Sequence, residues 1–172
     1  RDRVVRTAFQ ITGNLEDAKD VAQGVFLRLW RVLQRFDLTK RFDTWLYRIT
    51  VNAAIDSLRE RGPKGTLQAL PEDAGERLRD PSSGPDEVFD LRQLQGAFFR
   101  LASRLAPRQR ATFVLKEIEG LETGEIARAL GVTESTVRNH LLQARRILRD
   151  GLSKDYPGLT GRPRADDDGE PS

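Results

Sequence analysis

Cysteine is absent from this chain, and histidine occurs once, as His140. Disulfides and cysteine-based zinc sites are therefore excluded, and so is a metal centre built on clustered histidines. A cysteine-free chain suits a reducing cytosol, and cytoplasmic residence is the expectation. No apolar run approaches the roughly 20 residues that span a bilayer, and no secretory leader is visible. Alternating strand patterns and internal repeats are missing too. The chain lacks a nucleophile–base set, a metal cluster and a phosphate-cradling glycine loop, so neither an enzyme nor a bound cofactor is expected. It opens at Arg1 without methionine, so natural N-terminal residues are expected to precede it.

What is present is charge and helical periodicity. Charged residues make up 32% of the chain and apolar ones 38%, which suits small helical cores. The net charge is only +3. Its basic excess falls in 1–61 and 107–151, the two parts that look folded, while the segment between them and the tail are mildly acidic. That distribution fits a protein meeting phosphates at two places, although a solvated surface also explains it.

Along the chain, residues 3–12 read as a helix ending near Gly13. Leu15 to Phe36 carries Val21, Val25, Phe26, Leu29, Leu33 and Phe36 at spacings of three and four, with Asn14 as N-cap and Glu16, Asp17 and Asp20 near the first turn. Phe42 to Arg61 reads as a third helix with Trp45, Leu46, Ile49, Ala53, Ile55 and Leu58 inward, and Gly62-Pro63 breaks it. The stretch GPKGTLQALPEDAGERLRDPSSGPD has turn residues and no apolar period, so 62–87 reads as a flexible linker. Val88 to Leu105 is helical again. Pro107 suits the first turn of a helix running to Glu119, which packs Ala111, Phe113, Val114, Leu115 and Ile118 and ends at Gly120. The tail, 153–172, reads as disordered.

Residues Thr123 to Arg149, TGEIARALGVTESTVRNHLLQARRILR, form the most informative stretch. A short helix, a tight turn at Gly131 and a second helix make a helix-turn-helix, whose second helix fits the major groove of DNA. Thr133 is a suitable N-cap. Val137, Leu141, Ala144 and Leu148 share a narrow inner arc, while Ser135, Asn139, Leu142, Arg146 and Arg149 lie opposite, flanked by Arg138 and Arg145. The first turns of a groove-bound helix reach base edges, which nominates Glu134, Ser135, Arg138 and Asn139. Arg145, Arg146 and Arg149 lie further along, where phosphates are the expected contacts, and His140 is a candidate base or phosphate contact. The fold expected is all-α: two small helical domains, 1–61 and 88–152, joined by the linker.

LAPRQRATFVLKEIEGLETGEIARALGVTESTVRNHLLQARRILR resembles region 4 of bacterial sigma factors of the extracytoplasmic-function group. ITGNLEDAKDVAQGVFLRLW and FDTWLYRITVNAAIDSLRER resemble region 2 of the same family. The resemblance implies a promoter-specificity subunit of RNA polymerase. Region 2 would clamp the β′ coiled coil and open the −10 element, and region 4 would sit on the β flap and read the −35 element. It places the polymerase contact on Asp17, Asp20 and Gln23, with Gly24 where the family usually has an acid. It places −10 recognition at Asn52, with Arg41, Arg48, Arg59, Arg61 and Lys64 as candidate strand-phosphate contacts. An anti-sigma protein is an expected partner. Two other readings stay open on the residues. One is a response-regulator-type duplex binder, whose usual α/β receiver domain is missing here. The other is an adaptor that mainly binds protein.

Overall fold

The computed structural model describes residues 2–33, 42–62 and 96–157. Among them there is no strand. The N-terminal half is a bundle of three helices, α1 (Asp2–Thr12), α2 (Leu15–Leu33) and α3 (Phe42–Arg61), each packed on the other two. The C-terminal half continues with α4, described over 96–102, α5 (Pro107–Phe113), a π-helical turn (Val114–Ile118), α6 (Thr123–Leu130) and α7 (Glu134–Asp155).

The local signals behave as their chemistry requires. The Asp17 amide donates to Asn14 Oδ1 at 3.0 Å, the N-cap that starts α2. The Thr136 amide donates to Thr133 Oγ1 at 3.2 Å, the equivalent cap for α7. At the start of α6 the Glu122 amide donates to Glu125 Oε2 at 2.9 Å. Gly131 turns the chain between α6 and α7 at φ 65°, a left-handed conformation that costs a residue bearing Cβ and is free for glycine.

Two boundaries differ from the sequence reading. The helix expected to run unbroken to Glu119 passes into a π turn at Val114. A π turn holds an extra residue, so the inward register slips: Ala111, Val114 and Leu115 are fully buried, whereas Ile118 is turned outward. The tail begins later than residue 153, because α7 continues to Asp155. Its last turn is tied to α4 and the residues after it: Arg104 pairs with Asp155, and the Arg100 guanidinium lies 5.5 Å from the centre of the Tyr156 ring. The expected linker falls almost wholly at 63–95, outside the described residues, as do Phe36 and most of the tail.

The two helical domains pack on each other. α3 packs on both α5 and α6, and one core runs from Val4, Ile11, Val25 and Ile55 through to Leu115, Ile126 and Val137. Polar contacts cross the junction as well. Thr7 Oγ1 donates to Glu119 at 3.2 Å, and the rings of Phe9 and Phe99 meet edge to face at 5.4 Å.

Candidate nucleic-acid interface

α7 is capped by Thr133 and held to the body by Val137, Leu141 and Ala144, all buried. Those three anchors fix its rotation, so its opposite face must point to solvent. That face carries the predicted set. Glu134, Ser135, Arg138, Asn139, Arg145, Arg146 and Arg149 are all exposed. The arginines rest on acids of the same surface: Arg138 on Glu134 at 3.4 Å, Arg145 on Glu117 at 3.1 Å, Arg146 on Asp150 at 3.9 Å and Arg149 on Asp150 at 3.7 Å. Exposed pairs of this kind contribute about 0–1 kcal/mol, so each guanidinium is available to a phosphate or a base edge. Asn139 accepts from Gln143 at 3.4 Å, a long and weak bond. Glu134 also leans on α6, where its carboxylate stands 3.2 Å from where a Cβ on Gly124 would be.

His140 lies at the side of this face rather than on it. It is half-buried, with Nδ1 3.5 Å from Thr112 Oγ1, and burial followed by the Arg108 charge lowers its pKa. The neutral imidazole is thereby favoured, and a neutral ring is a poor phosphate contact.

The N-terminal candidates split into three situations. Arg48 and Arg59 are exposed, Arg59 against Asp56 at 3.4 Å. Arg61 is half-buried and pairs with Asp17 at 2.8 Å, so a candidate for DNA is tied to a candidate for polymerase. Burial raises the Asp17 carboxyl, and the adjacent Arg61 charge opposes that shift. Asp20 and Gln23 are exposed, and a side chain at Gly24 would meet nothing. Arg41 and Lys64 lie outside the described residues.

Asn52 is half-buried at the junction of the halves. Its amide donates to the Arg48 carbonyl at 2.9 Å within α3 and to the Ala129 carbonyl of α6 at 3.4 Å. The junction also contains Arg110, 3% exposed, whose Nε and Nη2 have no hydrogen-bond partner. Burial, and then the like charge of Arg61, lowers that guanidinium to about 10. Among the described residues it has no acidic partner and lies 5.9 Å from the centre of the Phe99 ring, and a buried charge without a counter-ion weakens the packing that buries it. On α3, burial and the Glu119 carboxylate raise the Tyr47 phenol above its ordinary value.

Sequence reasoning missed two residues on α2. Trp30 is 77% exposed and Leu27 55%. With Asp20 and Gln23 they form one stripe at steps of three, four and three, turned away from the core. The inward stripe of Val21, Val25 and Phe26 drew the attention; the large apolar pair one face round was the available signal. Trp45, by contrast, is packed against the core, as its spacing to Leu46 and Ile49 implied. Among the described residues no group of acids and histidine could hold a metal ion, and no helix is long and apolar enough to cross a membrane.

Comparison with known proteins places both halves. Residues 1–63 match the family described as Sigma-70 region 2, and residues 87–148 match Sigma-70, region 4. The chain is 38% identical over 153 residues to the ECF RNA polymerase sigma factor SigE of Mycolicibacterium smegmatis, covering 89% of this chain and 58% of that relative. It is 31% identical to the ECF RNA polymerase sigma factor SigW of Bacillus subtilis, covering 88% of this chain and 84% of the relative. The fold is similar to that of the sigma factor RpoE of Bartonella quintana, solved in complex with the anti-sigma factor NepR. The TM-score is 0.63 at 18% identity, over 90% of this chain and 92% of the other. The chain thus spans a little over half of one matched relative and most of the other two.

Proposed function

Since this chain belongs to the extracytoplasmic-function family of RNA polymerase sigma factors, we propose that it is a promoter-specificity subunit: it reads a −35 element with α7, reads and helps open a −10 element with α3, and works only on core polymerase. The observation that supports this reading is the outer face of α7, where side chains suited to base edges and phosphates stand exposed together on a helix anchored by a buried opposite face. No group in the chain performs chemistry in this reading; polymerase does.

The stripe Asp20–Gln23–Leu27–Trp30 is the proposed polymerase face. An exposed tryptophan and leucine rimmed by polar groups suit a protein partner better than DNA. An anti-sigma protein, expected from the sequence, stays part of the proposal, since a cover over the same stripe would silence the chain.

Geometry requires the halves to part during this work. Elements at −35 and −10 lie about 25 base pairs apart, or roughly 85 Å of duplex at about 3.4 Å per pair. A compact chain of this size has a radius of gyration of about 16 Å. The linker residues 63–87 reach at most about 85 Å at full extension, so the chain is long enough to bridge the gap once the junction opens. Opening also releases Asn52 from Ala129 and frees its amide for a base edge. Each half binds weakly alone, and polymerase makes the second contact effectively intramolecular.

The test is reconstitution: core polymerase with this protein should give run-off transcripts from a promoter bearing both elements. Equal transcription without the protein, or no binding to core, rejects the function. At residue level, Arg138→Ala should weaken −35 binding by about 1–3 kcal/mol at a particular base pair, read by titrating single-substituted duplexes. A uniform loss over all duplexes would reassign Arg138 to the phosphate backbone.

A further inference from the structure

Leu142 is 70% exposed in the middle of α7, and it belongs to neither apolar core. At 100° per residue, Ser135, Arg138, Asn139, Arg145, Arg146 and Arg149 all fall within about 60° of it, so the leucine stands at the centre of the basic face. It is about 6 Å further along the axis than Arg138, which is roughly two base-pair steps. A large apolar side chain left in water on a helix otherwise faced with arginine and amide groups calls for a partner that is anionic around its rim and apolar at one point. A protein surface that covered this leucine would have to desolvate the surrounding guanidinium groups as well.

Duplex DNA meets the description at a single kind of site. Phosphates supply the anionic rim, and the thymine C5-methyl is the one apolar group that a base pair presents in the major groove. We propose that Leu142 reads a thymine methyl in the −35 element, and that it sets specificity at a base pair about two steps from the one read by Arg138. The inference rests on the function proposed above. It adds a contact that needs no hydrogen bond and is insensitive to salt, unlike those of the arginines around it.

Uracil is the direct probe, because it keeps every Watson–Crick and groove hydrogen-bonding group of thymine and lacks only the methyl. The full-length protein, assembled with core polymerase, is first used to enrich a duplex from a randomised pool. Each thymine of the enriched site is then replaced in turn by deoxyuridine, and affinity is measured by fluorescence anisotropy. With the wild-type protein, replacement at one or two adjacent thymines should lower affinity about fourfold, the value of one buried methyl group. With Leu142→Ala the same replacement should have no effect, while the salt dependence of binding stays as in the wild type. Since Leu142 is exposed, the variant should melt with the wild-type protein, which separates a lost contact from a lost fold. An enriched duplex indifferent to every thymine-to-uracil change overturns the role of Leu142 alone. So does a Leu142→Ala variant that keeps full uracil discrimination, or one that loses core polymerase affinity while binding DNA normally. A pool that yields no enriched duplex with the protein assembled on core polymerase overturns the proposed function, and this inference with it.

Discussion

Joining the two halves covalently across Thr7 and Glu119 is expected to abolish promoter-directed transcription. Thr7 Oγ1 and the Glu119 carboxylate meet at 3.2 Å across the junction, one from α1 and the other from just beyond the π turn. The native chain has no cysteine, so Thr7→Cys with Glu119→Cys creates the only thiols. A short reducible dithiol linker then fixes the closed arrangement. In that state Asn52 stays against Ala129, and the compact chain cannot bring α3 and α7 to elements tens of ångströms apart. Run-off transcription with core polymerase should fall to background, and cleaving the linker should restore it. Binding of α7 to duplex DNA should survive the linkage, because its reading face already points to solvent in the closed form. Undiminished transcription by the linked protein would mean that both promoter elements are served without opening. The unlinked double variant controls for the loss of the native contact. The junction is suited to opening because it is not well satisfied: among the described residues Arg110 Nε and Nη2 are buried there without a hydrogen-bond partner and close to Arg61.

The second large effect is on stability. Leu115→Ala should destabilise the protein by about 2–5 kcal/mol, the usual range for emptying a fully buried leucine site. Leu115 is 0% exposed and lies in the core that spans both halves. Its surroundings are poorly placed to collapse into the gap, since its own backbone carbonyl is held by the Leu121 amide at 2.9 Å. For a chain of this length each kcal/mol moves the melting temperature by about 2–4 °C, so thermal unfolding should begin markedly earlier. Leu142→Ala is the internal comparison. The same atoms are removed in the same half, from a side chain already in water, and the stability change should stay within about 0.5 kcal/mol. Similar losses for the two variants, measured by calorimetry, would mean that Leu115 is less enclosed than its position indicates.

The arginines of α7 illustrate how far local reading goes. Their placement on one arc opposite Val137, Leu141 and Ala144 was legible from spacing alone, because a helix converts sequence separation into angle without reference to anything else. The caps at Asn14 and Thr133 and the turn at Gly131 were legible for the same reason: each is a contact between residues at most three or four apart. What the arginines rest on was not. Glu117 reaches Arg145 from another element, and only folding brings them together.

The sequence by itself determined the all-helical character, the limits of most helices, the helix-turn-helix and the identity of its outward residues, since all of these follow from periodicity and short-range capping. Tertiary structure decided that α3 lies against α5 and α6, that Asn52 is occupied by Ala129, that Asp17 and Arg61 pair, and that Leu27 and Trp30 are left uncovered. It also inserted the π turn that rotates Ile118 outward. The physical reason is common to all of them. Burial and long-range pairing depend on which surfaces meet after the chain has formed its helices, and a periodic pattern records which face of a helix is apolar but not what, if anything, will cover it.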